Sequence, residues 1–426
     1  MSTRHACLVG AGIVGCCTAY ALAREGWRVT LVDAKSSPAQ GASHANGAQL
    51  SYSYVEPLAS PATLAALPSY LLSPDSPLRW RPRAEWAHLR WLAAFVWACR
   101  GSQVQGTTKA LLALSFLSRD VLQAWLQEQP PELRLASQHG RPGKLVVYRS
   151  AASRAAVERQ LAWQGALGCV QRIVKADECR ELEPALAATG GGAIAFGVWT
   201  ASEEVVDAAA LANALAVASG ATLLMDRQVS GFDVQGGAVK AVRLANAEGQ
   251  AEGEIAADHV VLAAGPEVAG LLRPLGLALP IEPIKGYSVT LPIVNAAAAP
   301  VASVTDSARK LVYARLGSQL RVAGFAELSG PDRSVNAARI EALCAATQET
   351  FPNACDFSDR RPWAGLRPAT PSGRPLLGRL RWPNLWVNAG HGALGLTLAA
   401  GSAAVLASLM SGRPAPIDTE PYRPPP

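Results

Sequence analysis

Apolar positions 6–9 and 28–32 form two short runs rich in β-branched residues, and the stretch between them, 16–25, has the alanine-rich composition of a helix closed by Gly26. The pattern predicts strand, turn, helix, strand. A second stretch of the same character returns far along the chain. Residues 207–219 predict an alanine-leucine helix capped by Gly220, and residues 221–234 predict strands broken by turn residues. Residues 239–244 and 259–263 are further strand-like runs, the latter entering Ala264, Gly265 and Pro266. Residues 312–328, VYARLGSQLRVAGFAEL, predict an antiparallel hairpin. The intervening 55–206 differs in kind, being first proline-rich, then tryptophan-rich, then helical. Near the end, residues 388–410 hold no lysine, arginine, aspartate or glutamate.

That last stretch is about long enough to span a bilayer. Its glycines, His391 and hydroxyl residues dilute it, and no aromatic belt closes its far end. It therefore predicts a buried helix. Length points to two domains, since 426 residues exceed what one core usually covers. With 50% hydrophobic and 17% charged residues the chain is not disordered. The formal charge of +6 comes from scattered arginines, with no basic run, so nucleic-acid binding is not expected. The eight cysteines include no CxxC and the six histidines no HExxH, so no metal is expected and the thiols are read as reduced and cytoplasmic. The first strand is expected to begin by Ala6, and no export signal is expected ahead of it.

The turn after the first strand reads GAGIVG over residues 10–15. Gly10 permits the tight turn, Gly12 lets a pyrophosphate approach the backbone, and Gly15 lets helix and strand pack closely. The helix start offers free N–H groups and a positive dipole end to phosphate. Asp33, at the end of the second strand, is placed to accept hydrogen bonds from an adenosine ribose. This unit predicts dinucleotide binding and does not separate NAD from FAD. Cys16 and Cys17 on the same helix are read as small packing residues. Residues 79–100 set four tryptophans among five arginines and one glutamate. Such a mixture, from Trp80 to Trp97, suits either a membrane interface or a domain-packing helix, and the many apolar neighbours favour packing.

With the glycine unit, four further motifs carry a resemblance. SHANGAQ over 43–49, PIKGYS over 283–288 and GHGALGLT over 390–397, together with WAGLRPATPSGRPLLG over 363–378, make the chain resemble the flavin-dependent D-amino acid oxidase-type (DAO) family, most of all its bacterial D-amino acid dehydrogenases. The likeness runs nearly end to end. It implies FAD as the cofactor and an α/β fold, α+β overall, with a Rossmann-like FAD-binding domain and an interleaved antiparallel-sheet substrate domain. The expected division is 1–54, 207–279 and 360–426 for the FAD-binding domain, and 55–206 and 280–359 for the substrate domain.

Carried over by position, the resemblance assigns Gly10, Gly12, Ile13, Val14, Gly15, Asp33 and Ala34 to the adenosine diphosphate. Ser43, Asn46 and Gly47 would lie along the flavin, Val229 near the adenine, and Ala264 and Gly265 beside the dinucleotide. Gly47 and Ala48 reverse the alanine-glycine order usual in that loop. The uncharged helix resembles the family's last long helix. Its tip, with Gly390, Gly392, Leu394, Gly395, Leu396 and Thr397, would point at the isoalloxazine and stabilise negative charge around N1 and the C2 carbonyl.

Arg367 resembles the carboxylate-binding arginine, whose fork orients as well as attracts an amino acid substrate. His391 is read first as a structural hydrogen-bonding residue, with tuning the flavin or deprotonating the amine as alternatives, and Tyr54 and Tyr313 are candidates for closing over the substrate. Lys285 is either a flavin neighbour or an exposed lysine. The implied reaction is hydride transfer from Cα to flavin N5, giving a 2-oxo acid and ammonia, with electrons passed to a quinone or other respiratory acceptor. Alternatives are a glycine, sarcosine or D-amino acid oxidase using oxygen, a D-hydroxyproline dehydrogenase, and a flavin-binding structural subunit of a complex. The expected location is cytoplasmic, with peripheral contact at the inner face of the membrane as an option.

Overall fold

A computed structural model describes residues 4–55, 57–65, 78–81, 83–128, 136–188 and 193–425. Its organising element is a six-stranded sheet. Strands run in the order Leu376–Arg379, Leu385–Ala389, His259–Leu262, His5–Val9, Arg28–Val32, Thr222–Leu224. All pairs are parallel except the outermost, Leu376–Arg379 with Leu385–Ala389. His5–Val9 is buried along its whole length, with helices Ile13–Arg24 and Gly395–Met410 over one face and strands Gln228–Gln235 and Ala238–Ala245, with short helix Val268–Leu272, over the other. It has a neighbour on each side, with Leu8 opposite Val261 in one and Leu31 in the other. The chain leaves it in both directions, so a crevice opens at the carboxyl ends of the strands, where open α/β sheets bind ligands.

The second large sheet has nine strands. The main path runs Arg361–Ala369, Glu282–Pro292, Gln319–Leu328, Leu311–Leu316, Ser303–Asp306, Lys144–Tyr148, Phe196–Thr200, Arg172–Lys175, and Leu78–Trp80 pairs with Gln319–Leu328 off that path. The hairpin expected over 312–328 is Leu311–Leu316 paired antiparallel with Gln319–Leu328. Helix Ala208–Ala218 begins where its sequence signals it: Asp207 Oδ1 accepts from the amides of Ala209 and Ala210, and Gly220 takes a positive φ of 63° beyond its end. Strand Ala251–Ala256, unheralded by its mostly exposed residues, completes a three-stranded sheet with Gln228–Gln235 and Ala238–Ala245.

The uncharged stretch becomes a turn, a short 3-10 segment Gly392–Leu394 and helix Gly395–Met410. By length and composition Gly392–Met410 is a candidate membrane span, yet 67% of it is buried inside the protein. Its cover is helix Ile13–Arg24 on one side and helix Gly101–Glu128 on another, the latter so close that a Cβ at Gly401 would lie 2.7 Å from the Leu114 carbonyl oxygen. This contact departs from the division drawn from sequence. Helix Gly101–Glu128 falls within 55–206, yet its Leu122, Trp125 and Leu126 join the core of the parallel sheet, with the Trp125 ring edge-on to Tyr20 at 5.0 Å. Its hydrophobic residues do not state in the sequence which sheet they will cover.

Helix Trp86–Ala98 is two-faced. Trp91 and Phe95 stack at 5.3 Å and pack against Ile284, Leu328 and Ala369, while Trp91 Nε1 donates to the Ala369 carbonyl at 3.0 Å. Trp86 and Trp97, by contrast, are 73% and 50% exposed. The expectation that these tryptophans fill the core holds for Trp91 alone.

Candidate active site

The sequence motifs converge on the carboxyl edge of the parallel sheet. Gly10 follows His5–Val9, Asp33 follows Arg28–Val32, Ala264 follows His259–Leu262 and Gly390 follows Leu385–Ala389. Gly10, Asp33 and Ala264 line a single cavity of about 910 Å³ that reaches from Asp33, Ala34 and Val229 at one end to Tyr54, Phe325 and Arg367 at the other. Gly12, Ile13, Val14, Ser43, Asn46, Gly47, Gly265, Gly392, Leu394, Gly395, Leu396 and Thr397 also line it. Gly15 and Gly390 lie behind the surface. A Cβ at Gly15 would overlap the Gly10 carbonyl, and at Gly390 it would meet the Thr370 methyl at 2.7 Å.

At the first end, Gly10 has φ +105° and any Cβ there would sit 2.6 Å from the Ala264 Cα. Glycine is obligatory at such a position. Asp33 is fixed by two backbone donors, Ala11 N to Oδ2 at 2.7 Å and Lys35 N to Oδ1 at 2.9 Å. A carboxylate has about four acceptor sites, so capacity remains for hydroxyl groups. Ser43 Oγ accepts from Ile13 N at 3.0 Å, capping helix Ile13–Arg24 from a distant loop because Gly12 has no side chain to do so.

The 43–49 loop forms the cavity's middle. Asn46 Oδ1 accepts from Ala48 N at 3.0 Å, and the Ala45 carbonyl accepts from Ser288 Oγ at 2.6 Å. The reversed glycine-alanine order now has a structural meaning. Ala48 takes the left-handed φ of +56°, whereas Gly47 is placed where a Cβ would press on Val312 Cγ2 at 3.0 Å. Ser51 N donates to Thr397 Oγ1 at 3.1 Å, tying the same loop to the helix tip. Beneath, Asn388 is fully buried with Nδ2 on Thr18 Oγ1 and no partner for Oδ1 among the described residues. A buried acceptor facing a polar cavity without a donor is costly unless a ligand hydroxyl supplies one.

At the far end, Arg367 Nη1 donates to the Phe325 carbonyl at 2.9 Å, and no carboxylate pairs with the guanidinium among the described residues. Its surface opens on the cavity, with protein on all other sides, and this burial pulls its pKa down to about 10. The guanidinium lies across Gly286, where any Cβ would overlap it. Phe325 itself has φ +60°, a conformation that costs a non-glycine residue on the order of 1–3 kcal/mol. Tyr54 lines the cavity with Lys144 Nζ 4.4 Å above its ring.

His391 is buried, its Nε2 3.1 Å from Ser402 Oγ, and desolvation pushes its pKa down to about 3. It is neutral at any physiological pH. An unfolded chain takes up a proton here below its ordinary 6.5, whereas the folded chain takes none until near pH 3. The folded state is thus favoured above pH 6.5 and loses stability as pH falls through that window, by about 1.4 kcal/mol per pH unit at most. His391→Gln is expected to flatten this acid slope, seen as a smaller difference between urea unfolding at pH 7 and pH 5 than in the parent.

Two expectations are corrected. Tyr313 does not line the cavity: along a strand alternate side chains face opposite ways, and here Val312 faces in. The Tyr313 hydroxyl lies 3.5 Å from the Ala346 carbonyl and Thr350 Oγ1, in the core on the other side of the sheet, and burial pushes its pKa up to about 12. Lys285 is neither a cavity residue nor exposed. It is buried and paired with Asp332 at 2.6 Å. Lys144 was not singled out from sequence, although a lone lysine opening the apolar run KLVVY was the available signal. Its Nζ donates to Gln49 Oε1 at 3.0 Å and Ser51 Oγ at 2.8 Å.

Comparison with known proteins agrees with this geometry. Residues 5–409 match the DAO family, described as FAD dependent oxidoreductase. A D-amino acid dehydrogenase 2 from Ralstonia nicotianae is 46% identical, covering 97% of this chain and 98% of its own. A protein of the same name from Pseudomonas aeruginosa is 45% identical over 98% and 97%. Among solved structures, glycine oxidase from Geobacillus kaustophilus superposes with a TM-score of 0.74 at 21% identity, covering 99% of this chain and 98% of that one. L-proline dehydrogenase from P. horikoshii gives 0.72 at 16%, over 99% and 97%. Those two share the fold. The chain belongs to the FAD dependent oxidoreductase family and is an oxidoreductase with FAD as its cofactor. The glycine cradle and the orphaned Asn388 acceptor fit that cofactor.

Proposed function

We propose that the protein is an FAD-dependent D-amino acid dehydrogenase that passes its electrons to a quinone or another respiratory acceptor. The observation that carries the reading is Arg367, a guanidinium with no carboxylate partner among the described residues, at the end of a cavity whose other end suits an adenosine diphosphate. Relatives of nearly equal length that bear the name D-amino acid dehydrogenase support it. When bound, FAD supplies the two-electron acceptor. Arg367 holds the substrate carboxylate by its fork and so fixes which face of Cα turns toward the cofactor. The amides at 392–397 point their positive end at the reacting region, where they stabilise negative charge as it develops.

His391 is too weak a base to take the amine proton, so the amine enters neutral, and the histidine instead braces the helix tip through Ser402. Tyr54 closes the substrate side. Loss of hydride from Cα leaves an imino acid, which water converts to a 2-oxo acid and ammonia. Anaerobic addition of a D-amino acid panel to the holoenzyme should bleach the flavin band. No bleaching by any member overturns the substrate reading, and stoichiometric hydrogen peroxide in air makes the enzyme an oxidase.

A respiratory acceptor calls for a cytoplasmic enzyme that visits the inner face of the membrane. Trp86, Leu89, Val96 and Trp97 form an exposed apolar strip, flanked by exposed Arg79, Arg81, Arg90 and Arg100. Apolar rings among arginines suit an anionic lipid interface. Binding to vesicles containing phosphatidylglycerol should weaken with salt and fall by about 100-fold or more in the Trp86→Ala/Trp97→Ala variant, given roughly 1.5–3 kcal/mol for each of two large side chains withdrawn from water and about 1.4 kcal/mol per factor of ten. Equal sedimentation with and without vesicles would assign the strip another role.

A further inference from the structure

Arg367 is held by an irregularity in the strand beside it. Across strands Glu282–Pro292 and Gln319–Leu328, Lys285 faces Glu327 and Tyr287 faces Gly324, so Phe325 and Ala326 together oppose Gly286. This is a β-bulge, and its first residue is left-handed, a place where glycine is the usual occupant. Here it is phenylalanine. The ring is held by two neighbours: Arg339 Cζ lies 4.5 Å above it and Tyr287 meets it edge-on at 6.4 Å. Arg339 and Tyr287 are themselves joined through Glu327, with Arg339 Nε at 3.0 Å and Tyr287 Oη at 2.9 Å from its two oxygens. Beyond the Glu327 pair, Arg339 Nη2 has no hydrogen-bond partner among the described residues, and the ring face is a further contact of that cation.

We propose that Phe325 is the positioning residue of Arg367. The clamped ring keeps the bulge in its left-handed form, and that form turns the Phe325 carbonyl onto Arg367 Nη1. With Nη1 tethered and Gly286 leaving a flat floor, the guanidinium has one orientation and presents its remaining donors to a ligand. A smaller or flexible residue at 325 would let the bulge relax and the fork swing. The inference rests on the reading of Arg367 as the carboxylate anchor, and it adds that the anchor's aim is set by the ring packing behind it.

The test uses FAD-loaded enzyme and benzoate, a carboxylate that cannot be oxidised, titrated by its perturbation of the flavin spectrum, alongside kcat and KM for D-alanine. Phe325→Gly and Phe325→Leu are expected to raise the benzoate Kd and the D-alanine KM about tenfold, the equivalent of one charge-assisted contact, with kcat within twofold of the parent. Phe325→Tyr, which keeps the clamp, should match the parent. Parental Kd and KM in both the glycine and leucine variants overturn the proposal. If those variants lose FAD, Arg339→Gln carries the test with residue 325 intact: a raised Kd supports the clamp and a parental Kd overturns it. Arg367→Ala separates the two layers. Parental benzoate affinity in that variant means the carboxylate reading has failed, whereas lost affinity there with parental affinity in the Phe325 variants means only the positioning role has failed.

Discussion

Replacing Arg367 with alanine is expected to give a yellow, folded protein whose kcat/KM for D-amino acids falls roughly 10- to 150-fold, matching about 1.5–3 kcal/mol for a lost hydrogen bond to a charged group. The flavin should stay because Arg367 lies at the end of the cavity remote from Gly10 and Asp33. Stability should hold or rise. Among the described residues, removing this guanidinium leaves no buried carboxylate without its partner, and it relieves a cation whose burial already lowers its pKa. Lysine at the same position keeps the charge and loses the two-pronged geometry, so Arg367→Lys should recover only part of the loss. Steady-state kinetics with a melting curve on each variant check both halves; parental kinetics in the alanine variant would take Arg367 out of the site.

Gly15→Ala is expected to yield colourless protein. The added methyl has to occupy the position of the Gly10 carbonyl, which forces helix Ile13–Arg24 away from the strand and moves the helix-start residues Gly12, Ile13 and Val14 that line the cavity. Gly12→Ala offers the contrast. Its Cβ meets only Ser43 Oγ, at an ordinary 3.5 Å, so the protein should fold normally and lose FAD affinity through obstruction of the ligand alone. The ratio of flavin to protein absorbance after gel filtration, paired with a thermal melt, reads the two effects. A Gly15→Ala protein that keeps full colour and a parental melting temperature would show that the cradle tolerates a side chain there.

What the sequence made legible was whatever local chemistry dictates. The glycines at 10, 12 and 15 announce their turn because few other residues fit it, and Asp207 announces a helix because its side chain satisfies free amides. The burial of 395–410 followed from its lack of charge together with its glycines. Facts set by distant partners were not legible. Tyr313 and Val312 are equally apolar neighbours, and only the pairing of their strand decides which one faces the cavity. Lys285 is buried because Asp332, remote in sequence, neutralises it. Nothing in the letters around Phe325 marks a left-handed backbone, since the bulge arises from the register between two strands. The family likeness placed Arg367 in the cavity but could not say what steadies it.

The order of strands in the parallel sheet also governs how the enzyme comes into being. Leu385–Ala389 lies beside His259–Leu262, and the helix tip that lines the cavity follows it directly. On the ribosome, then, the nucleotide pocket lacks a wall until residue 397 has emerged, however early the first 33 residues fold. Vitamin B2 shortage should therefore leave a nearly full-length, loosely closed polypeptide for proteases to find, and not a stable amino-terminal fragment already carrying its coenzyme.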